Sequence, residues 1–205
     1  MKIASICILF IFLFSTALAD EWTNYRFEEE PDYVISLPSS YYVVYRDMPL
    51  DSPILQMRPL TPEQFNSLLD FNNSFAIAYT PDFSTTITIA KFPDVDVDNM
   101  SLDELTSKEL EIIREGHVSM LKEGLTSNEL ITLESLASEI IHTPHAQYVA
   151  VYTELSVGLQ QMQQIQYSTI TNGDQLIITF LNSIGTSMDE FRSIARPIVW
   201  NTVIF

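Results

Sequence analysis

An uninterrupted apolar run near the amino terminus sets the terms for everything that follows it. Lys2 supplies a positive start, Ile6–Phe14 is apolar throughout, and Ala17-Leu18-Ala19 places small side chains just ahead of Asp20. Positive, apolar and small-residue regions in that order predict a secretory signal peptide over residues 1–19, cleaved after Ala19. The apolar stretch is shorter than the roughly 20 residues a helix needs to cross a bilayer, so no stable membrane span is expected after cleavage. Asp20 stands where a lipoprotein signal would need cysteine. The chain is therefore expected in a secreted or periplasmic location. The single cysteine, Cys7, leaves with the signal. What remains must hold its fold in an oxidising compartment without disulfides, by burial alone, and it is long enough to build one such core.

The charge narrows the partners. With 10 Lys and Arg against 27 Asp and Glu, the net charge is −17, and losing Lys2 deepens it. Counterion-release binding needs clustered cations, so nucleic acid and anionic membrane surfaces are excluded as partners. Another protein is the expected one. Only five glycines are present and no low-complexity stretch occurs, which predicts a polar, loose arm over 20–32 anchored by Trp22, Tyr25 and Phe27, then one domain over 33–205.

Turn and cap signals divide that domain. Tyr33–Leu37 reads as a strand stopped by Pro38, and Tyr41–Tyr45 as a second extended piece. Thr61-Pro62-Glu63-Gln64 is a helix start, with a capping hydroxyl, a proline at the first turn and a glutamine that can return the bond; that helix is expected to end near Phe71. Phe75–Tyr79 and Thr85–Phe92 are β-rich on either side of Pro81-Asp82. Ser101 and Glu104 predict a capping box for a long helix ending near Gly124, with Leu102, Leu105, Leu110, Ile113, His117 and Leu121 forming one stripe. Strands follow at Leu130–Leu136, Tyr148–Val157, Met162–Thr171 and Gln175–Leu181. Asn172-Gly173 accepts the positive φ angles of a type I′ turn, making the last two antiparallel neighbours. The faltering alternation of Gln160–Tyr167 predicts a bulge near Gln163-Gln164. Ser187 and Glu190 cap a final helix with Phe191, Ile194, Ala195, Ile198 and Val199 inward, bent or ended by Pro197. The fold class is α+β: a single antiparallel β-sheet flanked by helices.

Tyr33-Val34-Ile35-Ser36-Leu37-Pro38 before an aromatic pair, Phe75-Ala76-Ile77-Ala78-Tyr79 leading into Thr86-Ile87-Thr88-Ile89, the capped helix over Ser101–Lys122, the long hairpins and Phe191–Phe205 together resemble the Mog1/PsbP-like fold family. The resemblance covers residues 30–205 as a pattern of apolar positions. It implies an α/β/α sandwich without catalytic activity that docks to other proteins. It carries over no catalytic, cofactor-binding or metal-binding residues.

Chemistry-bearing groups are few. No Gly-x-Ser-x-Gly elbow and no glycine-rich phosphate loop occur, and the histidines are His117, His142 and His145. His142-Thr143-Pro144-His145, with Glu139 or another carboxylate, is the one candidate for a transition-metal site, and a secreted hydrolase or metal-dependent enzyme built on it is the alternative to a binding domain. Against it, Pro144 breaks helical spacing and places the pair in a strand-connecting loop. His117, on the helix stripe, reads as a satisfied histidine at the core edge. Asp94, Asp96 and Asp98 alternate as at the start of a calcium loop, but Asn99 replaces the turn glycine and Leu105 the bidentate glutamate, so a strand end with wet carboxylates is preferred. No cofactor is expected. Asn72-Asn73-Ser74 and Asn99-Met100-Ser101 are N-glycosylation triplets. Candidate contact surfaces are Tyr41–Tyr45 with Met48, and the glutamine-rich face of Gln160–Gln166. Amino-terminal sequencing of the exported protein is expected to begin at Asp20; a product retaining Cys7 would refute the signal.

Overall fold

A computed structural model describes residues 21–27, 30–46, 48–49, 51–57, 61–92, 100–183 and 185–205. The segment expected to be a signal peptide and the Asp94/Asp96/Asp98 run lie outside the described residues. The expected single sheet is instead two sheets. A small one has the order β1-β2-β10, from β1 (Trp22–Phe27), β2 (Glu30–Pro38) and β10 (Val203–Ile204). The larger has seven strands in the order β3-β4-β5-β9-β8-β7-β6, from β3 (Tyr42–Tyr45), β4 (Ser74–Tyr79), β5 (Thr85–Phe92), β6 (Ile131–His142), β7 (Gln147–Val157), β8 (Gln160–Thr171) and β9 (Asp174–Asn182). Every pairing is antiparallel.

The split follows from the segment expected to be a loose arm. Thr23, Tyr25 and Phe27 point inward while Trp22, Asn24 and Arg26 face solvent. That two-residue period matches Tyr33, Ile35 and Leu37 on β2, with Tyr25 opposite Ile35 and Thr23 opposite Leu37. Phe27 is buried and meets Phe75 of the large sheet edge-on at 5.1 Å, while Tyr33 stacks on the same ring at 6.2 Å. The small sheet and α4 (Met188–Trp200) cover one face of the large sheet together. The shared layer runs from Phe27, Ile35 and Leu37 through Ile87, Ile165, Tyr167 and Phe180 to Phe191 and Ile198.

The other face is covered in two patches. At one end α1 (Pro53–Met57) and α2 (Pro62–Phe71) pack Ile54 and Phe65 against Val44 and Met48. At the opposite end α3 (Ser107–Thr126) lays Leu110, Ile113 and Leu121 over Val149, Val151 and Ile170. Between them Thr86, Thr88 and Thr179 lie half-buried, and Thr88 sits opposite Thr179 across the β5–β9 pair. β-Branched polar side chains suit a sheet face that water partly reaches.

Local rules explain the helix ends and one displacement. Thr61 and Ser187 form capping boxes with Gln64 and Glu190 as expected, and α2 ends at Phe71. The Ser101 box does not form. Leu102–Glu104 is a single 3₁₀ turn, and the capping box is made five residues later by Thr106 and Glu109. Ser101 Oγ instead accepts from the Asn172 N–H at 3.1 Å, and Asp103 Oδ1 from the Gln147 N–H at 2.8 Å, so this segment docks onto strand ends rather than starting a helix. Gly124 lies inside α3, which runs on to Thr126 because nothing at Gly124 forces a left-handed residue. Pro197 does not end α4: it is solvent-facing, so the Ser193 carbonyl that it leaves without a donor can be met by water, and the helix continues to Trp200.

The strands also differ from expectation. β6 extends to His142 rather than Leu136. β8 keeps continuous register with both neighbours, so no bulge lies at Gln163-Gln164; the irregularity is in β6, between Leu133 and Ser135. Gln163 holds its place on the core face because its amide is hydrogen-bonded, Nε2 donating to the Thr186 carbonyl at 2.8 Å. The Asn172-Gly173 turn is as expected, with φ of 52° and 84°.

Lys91 on β5 ties the two sheets. Its Nζ lies 2.9 Å from Glu30 on β2 and 2.9 Å from Asp174 on β9, 5.8 Å from the centre of the Tyr33 ring. Burial alone would lower the ammonium pKa, but the hydrogen bonds that it donates to both carboxylates override it and hold it above the ordinary lysine value. All three groups are largely but not fully covered, which places the arrangement between exposed and buried ion pairs. Lys91→Met should therefore cost about 2 kcal/mol in urea unfolding, since two carboxylates are left facing each other. Adding Glu30→Gln and Asp174→Asn should return most of that loss; no recovery would show that the lysine acts by packing alone.

Candidate functional site

The histidine pair is not brought to a common centre with Glu139. Along β6 alternate residues face opposite sides of the sheet, and the register is continuous from Ser135 to His142, so Glu139 and His142 lie on opposite faces. Glu139 is engaged beneath α4, where Tyr152 Oη donates to its Oε1 at 2.6 Å and Arg196 approaches at 3.4 Å. His142 and His145 are exposed at the β6–β7 turn, which is built by Thr143: its Oγ1 accepts from the Ala146 N–H at 3.0 Å. Among the described residues no group of three His, Cys, Asp or Glu is placed to hold a metal ion.

His117 occupies the position expected of it. It is half-buried on the sheet-facing side of α3, and its Nε2–H donates to Gln166 Oε1 at 2.9 Å. This contact also disposes of part of the glutamine face, because Gln166 and Gln163 are committed to internal bonds while Gln160 and Gln161 remain exposed.

The aromatic segment is where an open concave surface forms. A cleft of about 390 Å³ is lined by Tyr25, Tyr41, Tyr42 and Tyr45, with Pro49, Pro53 and Asp51 on its far wall. Its position follows from topology: β1 is an edge strand of the small sheet, β3 an edge strand of the large one, and the cleft is lined by residues of both. The rings are braced from behind. Tyr25 stacks on Phe27 at 6.4 Å, Phe27 meets Tyr45 edge-on at 5.9 Å, and Tyr42 stacks on Phe83 at 5.4 Å with 10° between planes. Burial, then the neighbouring Tyr45, raises the Tyr25 phenol above its usual pKa, so it stays a neutral donor and acceptor at any physiological pH. Met48, expected on this surface, is instead buried beneath it with Val44 and Ile54. Braced tyrosines offer large contact area at small entropic cost, with hydroxyls at the rim for orientation. The sequence offered Tyr41–Tyr45 as one stretch, but Tyr25 joins it only through the pairing of β1 with β2, and Pro49, Asp51 and Pro53 through the packing of α1 against β3.

Among the described residues no helix is long and apolar enough to cross a membrane. No protein-family model matches the chain, and no curated protein matches its sequence. Among solved structures it is similar to the solution structure of cyanobacterial PsbP (CyanoP) from Synechocystis sp. PCC 6803, with a TM-score of 0.52 and 11% identity over 93% of this chain and 96% of that one. The likeness supports a PsbP-like α+β fold.

Burial lowers the His117 pKa, with the Gln166 bond opposing. The unfolded chain therefore takes up the proton first: the stability tied to neutral His117 is whole above 6.5 and is lost as pH falls through the depressed native value. Urea titrations between neutral and mildly acidic pH should show His117→Gln losing less stability on acidification than the parent. Parallel curves would mean that the imidazole is protonated in the native state without penalty.

Proposed function

We propose that the chain is an exported, non-catalytic accessory domain that docks to another envelope or secreted protein through the tyrosine cleft, taking up an extended segment of its partner. The observation that carries the reading is the placement of four tyrosines, three of them braced by neighbouring rings, between two strand edges. An extended peptide laid there can satisfy backbone groups of an edge strand while its side chains, prolines in particular, sit against the rings. The PsbP-like fold is consistent with an accessory role. The acidic surface favours a partner segment carrying Lys or Arg, which would raise the encounter rate more than the final affinity.

The test is selection from a displayed library of random twelve-residue peptides on the protein beginning at Asp20. Enriched peptides should be extended, proline-containing and basic. Tyr25→Leu and Tyr42→Leu keep the bulk of each ring's support, and each should weaken the enriched peptides about tenfold or more. Enrichment that survives both substitutions would move the docking surface elsewhere, and no enrichment at all would count against a peptide-binding role.

A further inference from the structure

The two sheets leave four strand edges, and three of them are short. β1 has six residues with an irregularity between Arg26 and Phe27, β3 has four and β10 two. β6 has twelve, and it closes the far side of the large sheet with no strand beyond it. Short strands, bulges, lysines and prolines are the usual guards against pairing at an edge. From Ser135 to His142, β6 carries no lysine, arginine or proline, and its bulge lies outside that stretch. Its one carboxylate there, Glu139, is turned under α4 to Tyr152 and Arg196.

The backbone groups on this edge can be assigned. The Thr143 N–H donates to the Ala146 carbonyl at 3.0 Å, so Thr143 faces β7, and in an antiparallel ladder every second residue does the same. Ala137, Glu139 and Ile141 therefore bond to β7, while Leu136, Ser138, Ile140 and His142 direct N–H and C=O away from it. Among the described residues no backbone group outside the β6–β7 ladder bonds to that outward row. The helices leave it clear as well. On α3, His117 reaches Gln166 of β8 while Arg114 donates to Ser138 of β6, which centres the helix over β7. On the other face Arg192 of α4 lies over the Tyr152 ring, again on β7.

We infer that β6 pairs antiparallel with β6 of a second copy of this chain, joining the two large sheets across a two-fold axis at Ser138. Charge selects the register. Two registers use the most of the regular stretch from Ser135 to His142. Centring on Glu139 sets that carboxylate opposite its own copy, and like charges directly opposite are destabilising. Centring on Ser138 sets Leu136 opposite Ile140 twice on the α3 face, brings the two Ser138 hydroxyls together at the axis, and places Glu139 opposite only the Ala137 methyl. The residues then bonded across the axis are those whose backbone groups point outward. A foreign strand would have to supply this pattern, which the chain's own strand already carries. The net charge of −17 opposes self-association, so salt should tighten the pair by screening that repulsion while leaving the ladder intact. The surface is independent of the tyrosine cleft, which lies by β3 at the other edge of the sheet.

Sedimentation equilibrium of the chain beginning at Asp20, over a wide range of concentration, should show a monomer–dimer equilibrium that strengthens with salt. Ala137 is exposed, so its variants leave the fold intact. Ala137→Glu sets a carboxylate against Glu139 of the other copy twice and should weaken the dimer about tenfold, while Ala137→Lys should tighten it. No cysteine follows Cys7, so an introduced thiol reports its own position. In the Ser138-centred register that residue lies about 5.5 Å from its copy between Cα atoms, within disulfide reach, and oxidised Ser138→Cys should run as a covalent dimer. His142→Cys, on the same edge but about 26 Å from its copy, should stay uncrosslinked. Protein that remains monomeric at every concentration and salt, Ala137→Glu and Ala137→Lys acting alike, or equal crosslinking by Ser138→Cys and His142→Cys would each overturn the pairing.

Discussion

The apolar layer shared by two sheets and one helix is the constraint from which the other features follow. No cysteine follows Cys7, so the domain is left with close packing to hold it, and the Phe27–Phe75–Tyr33 contacts are where the small sheet is joined to the large one. Lys91 reinforces the same junction electrostatically, reaching β2 and β9 from β5. Since the small sheet is attached through side chains rather than through a continuous ladder, its edge and that of β3 remain separate. The tyrosine cleft lies between them.

Much of this was legible from periodicity and caps. The Thr61 and Ser187 capping boxes, the Asn172-Gly173 turn, the span of β5 and the antiparallel pairing of the last two long strands follow from rules that act over a few residues. The errors came where two local solutions were equally good and a distant contact chose between them. Ser101-Leu102-Asp103-Glu104 and Thr106-Ser107-Lys108-Glu109 both satisfy the capping pattern. The first is diverted because its hydroxyl meets Asn172 and its aspartate meets Gln147. Likewise the irregular alternation around Gln163 was visible, but a buried glutamine satisfied by Thr186 keeps the register without a bulge. The two-sheet division had a local signal in the alternation of Thr23, Tyr25 and Phe27, which the polarity of the surrounding residues masked.

The candidate site was half legible for the same reason. A run of tyrosines marks a surface that is neither core nor fully wet, yet the opposing wall comes from residues that sequence places in a presumed arm and a proline-containing loop. The cleft arises where the antiparallel ladder is interrupted by a strand edge.

The end of α2 bears on when the chain could be modified. Asn72 caps that helix, its side-chain amide donating to the Leu68 carbonyl at 2.8 Å, and Ser74 two residues on is buried with its hydroxyl turned to Leu69. An oligosaccharide transferase reads the asparagine and the hydroxyl together in an extended, accessible segment. In a secretory compartment that carries such an enzyme, the Asn72 triplet is open only while the chain is emerging, before β4 seats against β3 and β5. Glycan occupancy there would thus record the race between translocation and folding of this hairpin, and slowing the closure of the sheet would raise it.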